Sequence, residues 1–284
     1  MAFFTNQATL SYNNTTKTSN IVTGELLEVL SATKNALDSE YSYGDTVTYA
    51  VSIINSGTTA FNNLTITDDL GEYTLGTLTE TPLTYVDGSL TYYTNGILQT
   101  GATVISGPPL VISGINVPAG GNVLVLYVAR VNEFAPLASG STIVNEAIIS
   151  SSDLTTPIEV SDTVTITDAT QLSITKSICP ETVAENGQIT YTFTIQNTGN
   201  AAATATDNVA VTDLFDPILD NITVSLNGII LTEGVQYIYD ETTGLFQTVT
   251  GVITVPAATY EQDIITGKWS IIPGVTILTV TGTV

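Results

Sequence analysis

Histidine is absent from the 284 residues, cysteine occurs once, and lysine and arginine together number five. Each deficit excludes something. Without histidine there can be no Ser-His-Asp or Cys-His nucleophile arrangement and no His-ligated zinc. One cysteine excludes an intramolecular disulfide and a Cys-rich metal site. The five basic residues face 27 acidic ones, for a net charge of −22, which repels phosphate backbones and anionic lipid heads. Nucleic acid and membrane surfaces are therefore not expected as partners. Charged residues make up 11% of the chain, against roughly 25% in a typical soluble domain. The acidity thus arises from missing Lys and Arg more than from added carboxylates. No run reaches the roughly 18–20 apolar residues of a spanning helix, so membrane insertion is not expected. The opening Met1-Ala-Phe-Phe-Thr-Asn-Gln7 lacks a basic n-region and an apolar h-region and does not read as a secretory signal. What remains favours a structural or binding protein over an enzyme.

A hydrophobic content of 43% is too high for disorder, and the length allows about two domains. Threonine, valine and isoleucine abound, which is β-sheet composition. Thr46-Val-Thr-Tyr-Ala-Val-Ser-Ile53, Ser161-Asp-Thr-Val-Thr-Ile-Thr167, Gln188-Ile-Thr-Tyr-Thr-Phe-Thr-Ile195 and Asn208-Val-Ala-Val-Thr-Asp213 carry the two-residue period of half-buried strands. Asn95-Gly96 and Asn227-Gly228 mark turns. The one helix-like stretch, Glu25 to Leu37, is argued against by an internal repeat. Leu30-Ser-Ala-Thr-Lys34 matches Leu172-Ser-Ile-Thr-Lys176, and Ile53-Ile-Asn-Ser-Gly57 matches Ile195-Gln-Asn-Thr-Gly199, both at an offset of 142. Thr67-Asp68 matches Thr212-Asp213, and Val117-Pro118-Ala119 matches Val255-Pro256-Ala257. The fold class expected is all-β: two tandem immunoglobulin-like β-sandwich domains, 25–168 and 169–284, with an N-terminal donor-strand segment at 1–24.

The donor segment follows from the frame of the repeat. The first domain closes with Thr142-Ile-Val-Asn-Glu-Ala-Ile-Ile149, a turn, and Val160-Ser-Asp-Thr-Val-Thr-Ile166; the N-terminus reads Phe3-Phe-Thr-Asn-Gln-Ala-Thr-Leu10, a turn, and Thr18-Ser-Asn-Ile-Val-Thr23. Residues 1–24 thus look like the closing strands of a domain other than the one they precede. The stretch Thr276–Val284 matches the first closing strand, so the second domain is expected to lack its final strand. Such a sandwich exposes an aggregation-prone edge, and an isolated hairpin is marginal. Both problems vanish if Phe4, Asn6, Ala8, Leu10, Ile21 and Val22 of one copy complete the second domain of the next. The contact is head to tail and need not close, so an open homopolymer follows, to which a surface anchor or tip protein would be a further partner. The competing expectation is a monomeric adhesin or a capsid- or surface-decorating module whose N-terminus is a plain tail.

Leu172-Ser-Ile-Thr-Lys176, Asn186-Gly-Gln-Ile-Thr-Tyr-Thr-Phe-Thr-Ile-Gln-Asn-Thr-Gly199 and Val209-Ala-Val-Thr-Asp213 closely resemble the bacterial surface-protein repeat known as domain of unknown function eleven, and Gly44–Gly57 with Thr65-Ile-Thr-Asp68 fits the same pattern. The resemblance covers both domains, most specifically their first halves. It implies an immunoglobulin-like sandwich of repetitive cell-surface and appendage proteins, names no catalytic activity, and points to an extracellular or spore-surface fibre.

Strand alternation assigns faces. Leu30, Ala32 and Lys34 share a face, as do Leu64, Ile66 and Asp68, and Ile143, Asn145 and Ala147. In the second domain Leu172, Ile174 and Lys176 line up, as do Val209, Val211 and Asp213; at the N-terminus Phe4, Asn6 and Ala8 do. A lysine buried beside a carboxyl shifts toward the neutral amine. With a carboxamide next to it, this is the arrangement that forms isopeptide bonds in Gram-positive pilin domains. The candidate sets are Lys34, Asp68 and Asn145 within the first domain, and Lys176, Asp213 and Asn6 of a neighbouring copy. The plainer alternative is a partly buried ion pair with an asparagine capping a turn.

Other features carry less. Asp207, Asp213, Asp216 and Asp220 lack EF-hand spacing and read as solvated turn acids, so neither metal nor cofactor is expected. Asn13, Asn14, Asn63 and Asn221 lie in sequons that Thr-rich chains produce by chance. Cys179 reads as a small packed hydrophobe. Tyr92, Tyr93, Tyr237 and Tyr239 read as strand-packing aromatics rather than a carbohydrate platform.

Overall fold

The computed structural model describes residues 2–26 and 28–284. The chain is all-β, its only helical element a 3₁₀ turn at Ala205–Asp207 among the described residues. The helix-like stretch becomes two strands, Val22–Leu26 and Leu30–Ala36; Leu27 between them lies outside the described residues.

The first half is a two-layer sandwich. One sheet runs Ile97–Gln99, Thr91–Thr94, Asn122–Val131, Thr46–Asn55, Leu30–Ala36; the other runs Thr103–Ile105, Leu110–Val117, Phe61–Asp68, Thr142–Ser150, Ile158–Ile166, Glu40–Tyr41. Alternation fills the space between them: Val47, Tyr49, Val51 and Ile53 from one sheet and Leu64, Ile66, Ile112 and Ile149 from the other are fully buried. The hairpin Thr142–Ile166 closes the sandwich on two sides. Its first strand pairs with Phe61–Asp68, with Ala147 opposite Asp68 and Ile149 opposite Ile66. Its second strand runs beside the other sheet's edge, where the Ala36 N–H donates to Asp162 Oδ2 at 2.6 Å.

The second half repeats this plan. Buried Asn55 Nδ2 donates to the carbonyls of Thr59 and Pro118 at 2.8 and 3.0 Å, and its Oδ1 accepts from Gly57 N–H. Buried Asn197 makes the same three bonds with Ala201, Pro256 and Gly199. The Asn-Gly turns also correspond: Asn95 Oδ1 accepts from Asn122 N–H and Asn227 Oδ1 from Ile277 N–H. Asn95, Gly96, Asn227 and Gly228 all have positive φ, as a two-residue hairpin turn requires.

These anchors correct the expected position of the last strand. Gly274–Thr283 pairs along its length with Gln188–Asn197, placing Val280 opposite Tyr191. In the first half the strand in that place is Asn122–Val131, with Tyr127 opposite Tyr49. Thr276–Val284 is therefore the counterpart of Asn122–Val131 and not of Thr142–Ile149. Two-residue alternation fits several apolar strands equally well, and an extra hairpin, Thr259–Gln262 with Trp269–Ile272, stretches the spacing before it. The consequence is larger than a renamed strand. Among the described residues from 169 onward neither Thr142–Ser150 nor Ile158–Ile166 has a counterpart, where the sequence led us to expect one closing strand missing.

The extra hairpin turns back to the first half: Trp269 Nε1 donates to the Phe134 carbonyl at 3.2 Å, and Gln262 Nε2 donates to Tyr73 OH. Residues 2–26 form a separate hairpin, Ala2–Asn6 with Val22–Leu26 and Thr9–Tyr12 with Thr15–Thr18, turning at Asn13 and Asn14, both with positive φ.

Candidate functional site

In the first half the three predicted residues share one buried cluster. Leu30–Ala36 lies at the edge of its sheet and turns Leu30 and Lys34 inward. The last residue of Phe61–Asp68 brings Asp68 in from the opposite layer, and Thr142–Ser150 brings Asn145. Lys34 Nζ sits 2.6 Å from Asp68 Oδ2 with both side chains at 0% exposure. Leu70 N–H donates to Asp68 Oδ1 at 3.0 Å. Tyr127 OH donates to Asp68 Oδ2 and accepts from Asn145 Nδ2 at 3.4 Å, so Lys34, Asp68, Tyr127 and Asn145 form one chain of contacts. Asn145 Oδ1 and Tyr49 OH are buried without a hydrogen-bond partner among the described residues.

Burial dominates the electrostatics. Desolvation pushes the Lys34 ammonium below its ordinary value, and the adjacent Asp68 carboxylate, then Asp69 and Asp162, pull it partly back. Desolvation also drives the Tyr127 phenol well above its ordinary value, with the Asp68 charge adding to the shift. Burial therefore makes the Lys34 ammonium more acidic than usual, beside a phenol that holds its proton more tightly than usual.

Tyr127 was not singled out from the sequence. Alternation with Val123 and Val125 points it inward, but nothing in the strand itself says that its hydroxyl meets Asp68. Only the packing of the two sheets brings them together.

The second site has the same pair under different cover. Lys176 Nζ contacts Asp213 Oδ2, yet the side chains are 39% and 19% exposed. The second pair is thus partly open, on the side where the expected set takes its asparagine from a neighbouring copy. Lys176 is cradled by aromatics, with the rings of Tyr191, Phe215 and Phe193 at 4.3, 5.3 and 5.5 Å. Val280 stands where Tyr127 stands in the first half, so no phenol reaches Asp213 from that strand. Every residue of Leu172–Cys179 is exposed, including Leu172, Ile174 and Ile178. Cys179, expected to be packed, is exposed too, because no described residue covers this edge.

The residues expected to donate are equally bare. Phe4, Leu10, Ile21 and Val22 are 57, 63, 62 and 57% exposed, and Asn6 and Ala8 are exposed as well. The first-strand counterparts Ile143, Asn145, Ala147 and Ile149 are at most 2% exposed. Asn6 pairs with Val22, which puts Val22 on the face of Asn6, and Ile21 precedes that strand.

Elsewhere, Tyr92, Tyr237 and Tyr239 are buried in the sandwiches, and Tyr93 is half-buried. Asp207 caps the 3₁₀ turn, accepting from Thr204 N–H at 2.7 Å. No group of three or more Cys, Asp or Glu that could hold a metal occurs among the described residues, and no described helix is long and apolar enough to cross a membrane.

No protein family description matches the sequence, and no curated protein resembles it at a significant level. Similar solved structures include BcpA, the major pilin subunit of Bacillus cereus, at 14% identity and a TM-score of 0.39 over 95% of this chain and 73% of that one. The pilus backbone RrgB from Streptococcus pneumoniae matches at 10% identity and a TM-score of 0.35, over 86% and 55%. A fragment of the major pilin GBS80 of Streptococcus agalactiae matches at 12% and 0.36, over 52% of this chain and 58% of the fragment. Likeness at this level says nothing of function.

Proposed function

We propose that this chain is the structural subunit of an extracellular or spore-surface fibre, polymerising head to tail as the N-terminal hairpin of one copy completes the second sandwich of the next. One observation carries the reading. Among the described residues the second half is open at the place where the first half is closed by Thr142–Ile166, while a hairpin with the matching pattern of an asparagine and an alanine between apolar residues lies exposed at the other end of the chain. Two uncovered apolar surfaces on one molecule, complementary to each other and far apart in sequence, make a heterologous contact that propagates.

The two lysine–aspartate pairs add a covalent component. In the first half the uncharged Lys34 amine attacks Asn145 Cγ. The new C–N bond replaces the carboxamide C–N bond, and the carboxamide nitrogen departs as ammonia. Asp68 relays the proton from the attacking amine to the leaving nitrogen, so no oxidant or co-reactant is needed. At the joint between subunits the same step joins Lys176 to Asn6 of the incoming copy beside Asp213. An ion pair held in an apolar sandwich is costly to maintain, whereas an amide removes both the charge and the titratable amine.

Intact-mass spectrometry and denaturing gels of purified filaments test this. Loss of one ammonia per bond is expected, with a ladder of covalent oligomers after boiling. Asn6→Ala should abolish the ladder and leave the loss within the first half; Lys34→Ala should do the reverse. Monomers of unshifted mass would overturn the covalent component. Failure of the full chain to form filaments, with residues 2–26 as exposed to protease as in the monomer, would overturn the fibre reading.

A further inference from the structure

We infer that the donated element is the whole hairpin, both strands, and that its first strand docks in a defined register with Ala8 opposite Asp213 and Leu10 opposite Val211. This rests on the fibre reading above and concerns what fills the second sandwich and how.

Two edges of the second half stand open, on different sheets. Thr212–Leu214 ends a three-stranded sheet, paired on one side only, with Leu245–Thr248. Leu172–Cys179 ends the five-stranded sheet and is exposed along its whole length. In the first half both corresponding edges are served by one hairpin. Thr142–Ser150 completes the ladder of Phe61–Asp68. Ile158–Ile166 flanks Leu30–Ala36, giving Ala36 N–H its acceptor, Asp162, and burying Val164. A single inserted strand would repair the first edge and leave Leu172, Ile174 and Ile178 in water. The two-strand requirement follows from Gly274–Thr283 being a central strand, because neither closing strand then has a counterpart among the described residues from 169 onward.

The register follows from the same comparison. Ala147 pairs with Asp68 and Ile149 with Ile66. Asp213 stands for Asp68 and Ala8 for Ala147, so Ala8 faces Asp213 and Leu10 faces Val211. A slip of one residue would turn Asn6, Ala8 and Leu10 outward together. The occupant is the 2–26 hairpin of a second copy because its inward positions repeat the asparagine, the alanine and the aliphatic residue that the first half seats there. Its own fold also supplies Val22 on the face of Asn6. In the free hairpin one more residue separates Thr18 from Val22 than separates Asn6 from Thr9, a local irregularity that the Thr142–Ile166 hairpin does not have. Val22 stands for Val164, which pairs with Ile143, so the second strand seats Val22 opposite Phe4, two residues from its partner Asn6 in the free hairpin and on the same face.

Thiol labelling of assembled filaments tests this, in the full chain with Cys179→Ser as background. Single reporters are Ala8→Cys on the first strand, Val22→Cys on the second, and Gln7→Cys on the outer face, where its counterpart Glu146 is exposed. In the monomer all three should react freely with maleimide. In filaments verified by negative-stain microscopy, Ala8→Cys and Val22→Cys should slow at least about tenfold, as groups closed off from solvent do, while Gln7→Cys keeps its rate. Protection of Ala8→Cys alone would overturn two-strand insertion and leave strand donation standing. Protection of Gln7→Cys in place of Ala8→Cys would overturn the register. Filaments with none of the three protected would overturn donation itself. Should Val22→Cys fail to assemble, Ile174→Cys reports the same contact from the acceptor side, being 53% exposed in the free chain.

Discussion

Leu10→Asp separates assembly from folding, because the same chemical change has different costs at two matched positions. Leu10 is 63% exposed in the free subunit, so a carboxylate there touches no core; surface changes of this kind usually shift stability by no more than about 0.5 kcal/mol. In the proposed filament Leu10 would take the place that Ile149 holds at 0% exposure. Losing that burial forfeits about 1.5–3 kcal/mol, and desolvating a carboxylate with no partner adds several kcal/mol more. A conservative total of about 3 kcal/mol raises the critical concentration for assembly by roughly two orders of magnitude. The assay is sedimentation of filaments across a concentration series, with thermal unfolding of each variant as the folding control. Ile149→Asp should instead lower the melting temperature of the first half, and Gln7→Glu, which installs the Glu146 side chain on the outer face, should change neither quantity. Assembly of Leu10→Asp at the wild-type concentration would refute the reasoning.

Further expectations concern the first half and the repeat. Tyr127→Phe removes the phenol that links Asp68 to Asn145, leaving the buried carboxamide unpartnered at a cost of about 1–3 kcal/mol. It should reduce the ammonia loss assigned to the first half and spare the joint, where Val280 already stands in that place. In Asn145→Ala, which cannot form the bond, Lys34 stays a titratable amine with its folded value held below the ordinary 10.5. The folded state then binds fewer protons than the unfolded chain in that window, so denaturant stability should rise with pH from neutrality toward 10. Adding Lys34→Met should flatten that rise. Tyr49 and Tyr127, both raised from an ordinary value of 10.0 by burial, reverse the slope above it. Finally, Asn55→Ala and Asn197→Ala should destabilise their own halves, by about 2–4 kcal/mol for the three bonds lost at Asn55 and at least as much for the four lost at Asn197. Domain-resolved hydrogen exchange would show whether each effect stays in its half.

The sandwich architecture, the tandem repeat and the inward set Lys34, Asp68 and Asn145 were all legible before any coordinates. Each rests on a two-residue period, and that period is a property of the backbone itself. The two-residue turns at Asn95-Gly96 and Asn227-Gly228 were equally local. What alternation cannot encode is which strand lies beside which, because pairing partners are set by contacts tens of residues apart. Thr276–Val284 has the right alternation for a closing strand and for a central one; its pairing with Gln188–Asn197 decided between them. Tyr127 was visible only as one more inward aromatic until the opposite sheet placed Asp68 against its hydroxyl. The same holds for the scarce positive charge of the chain. Composition made Lys34 and Lys176 conspicuous, and the repeat made them equivalent. Only the tertiary structure showed one at 0% exposure under a closing hairpin and the other at 39%, with no such hairpin over it among the described residues. Burial is a property of what covers a residue, and for Lys176 the cover is not supplied by the strands packed around it.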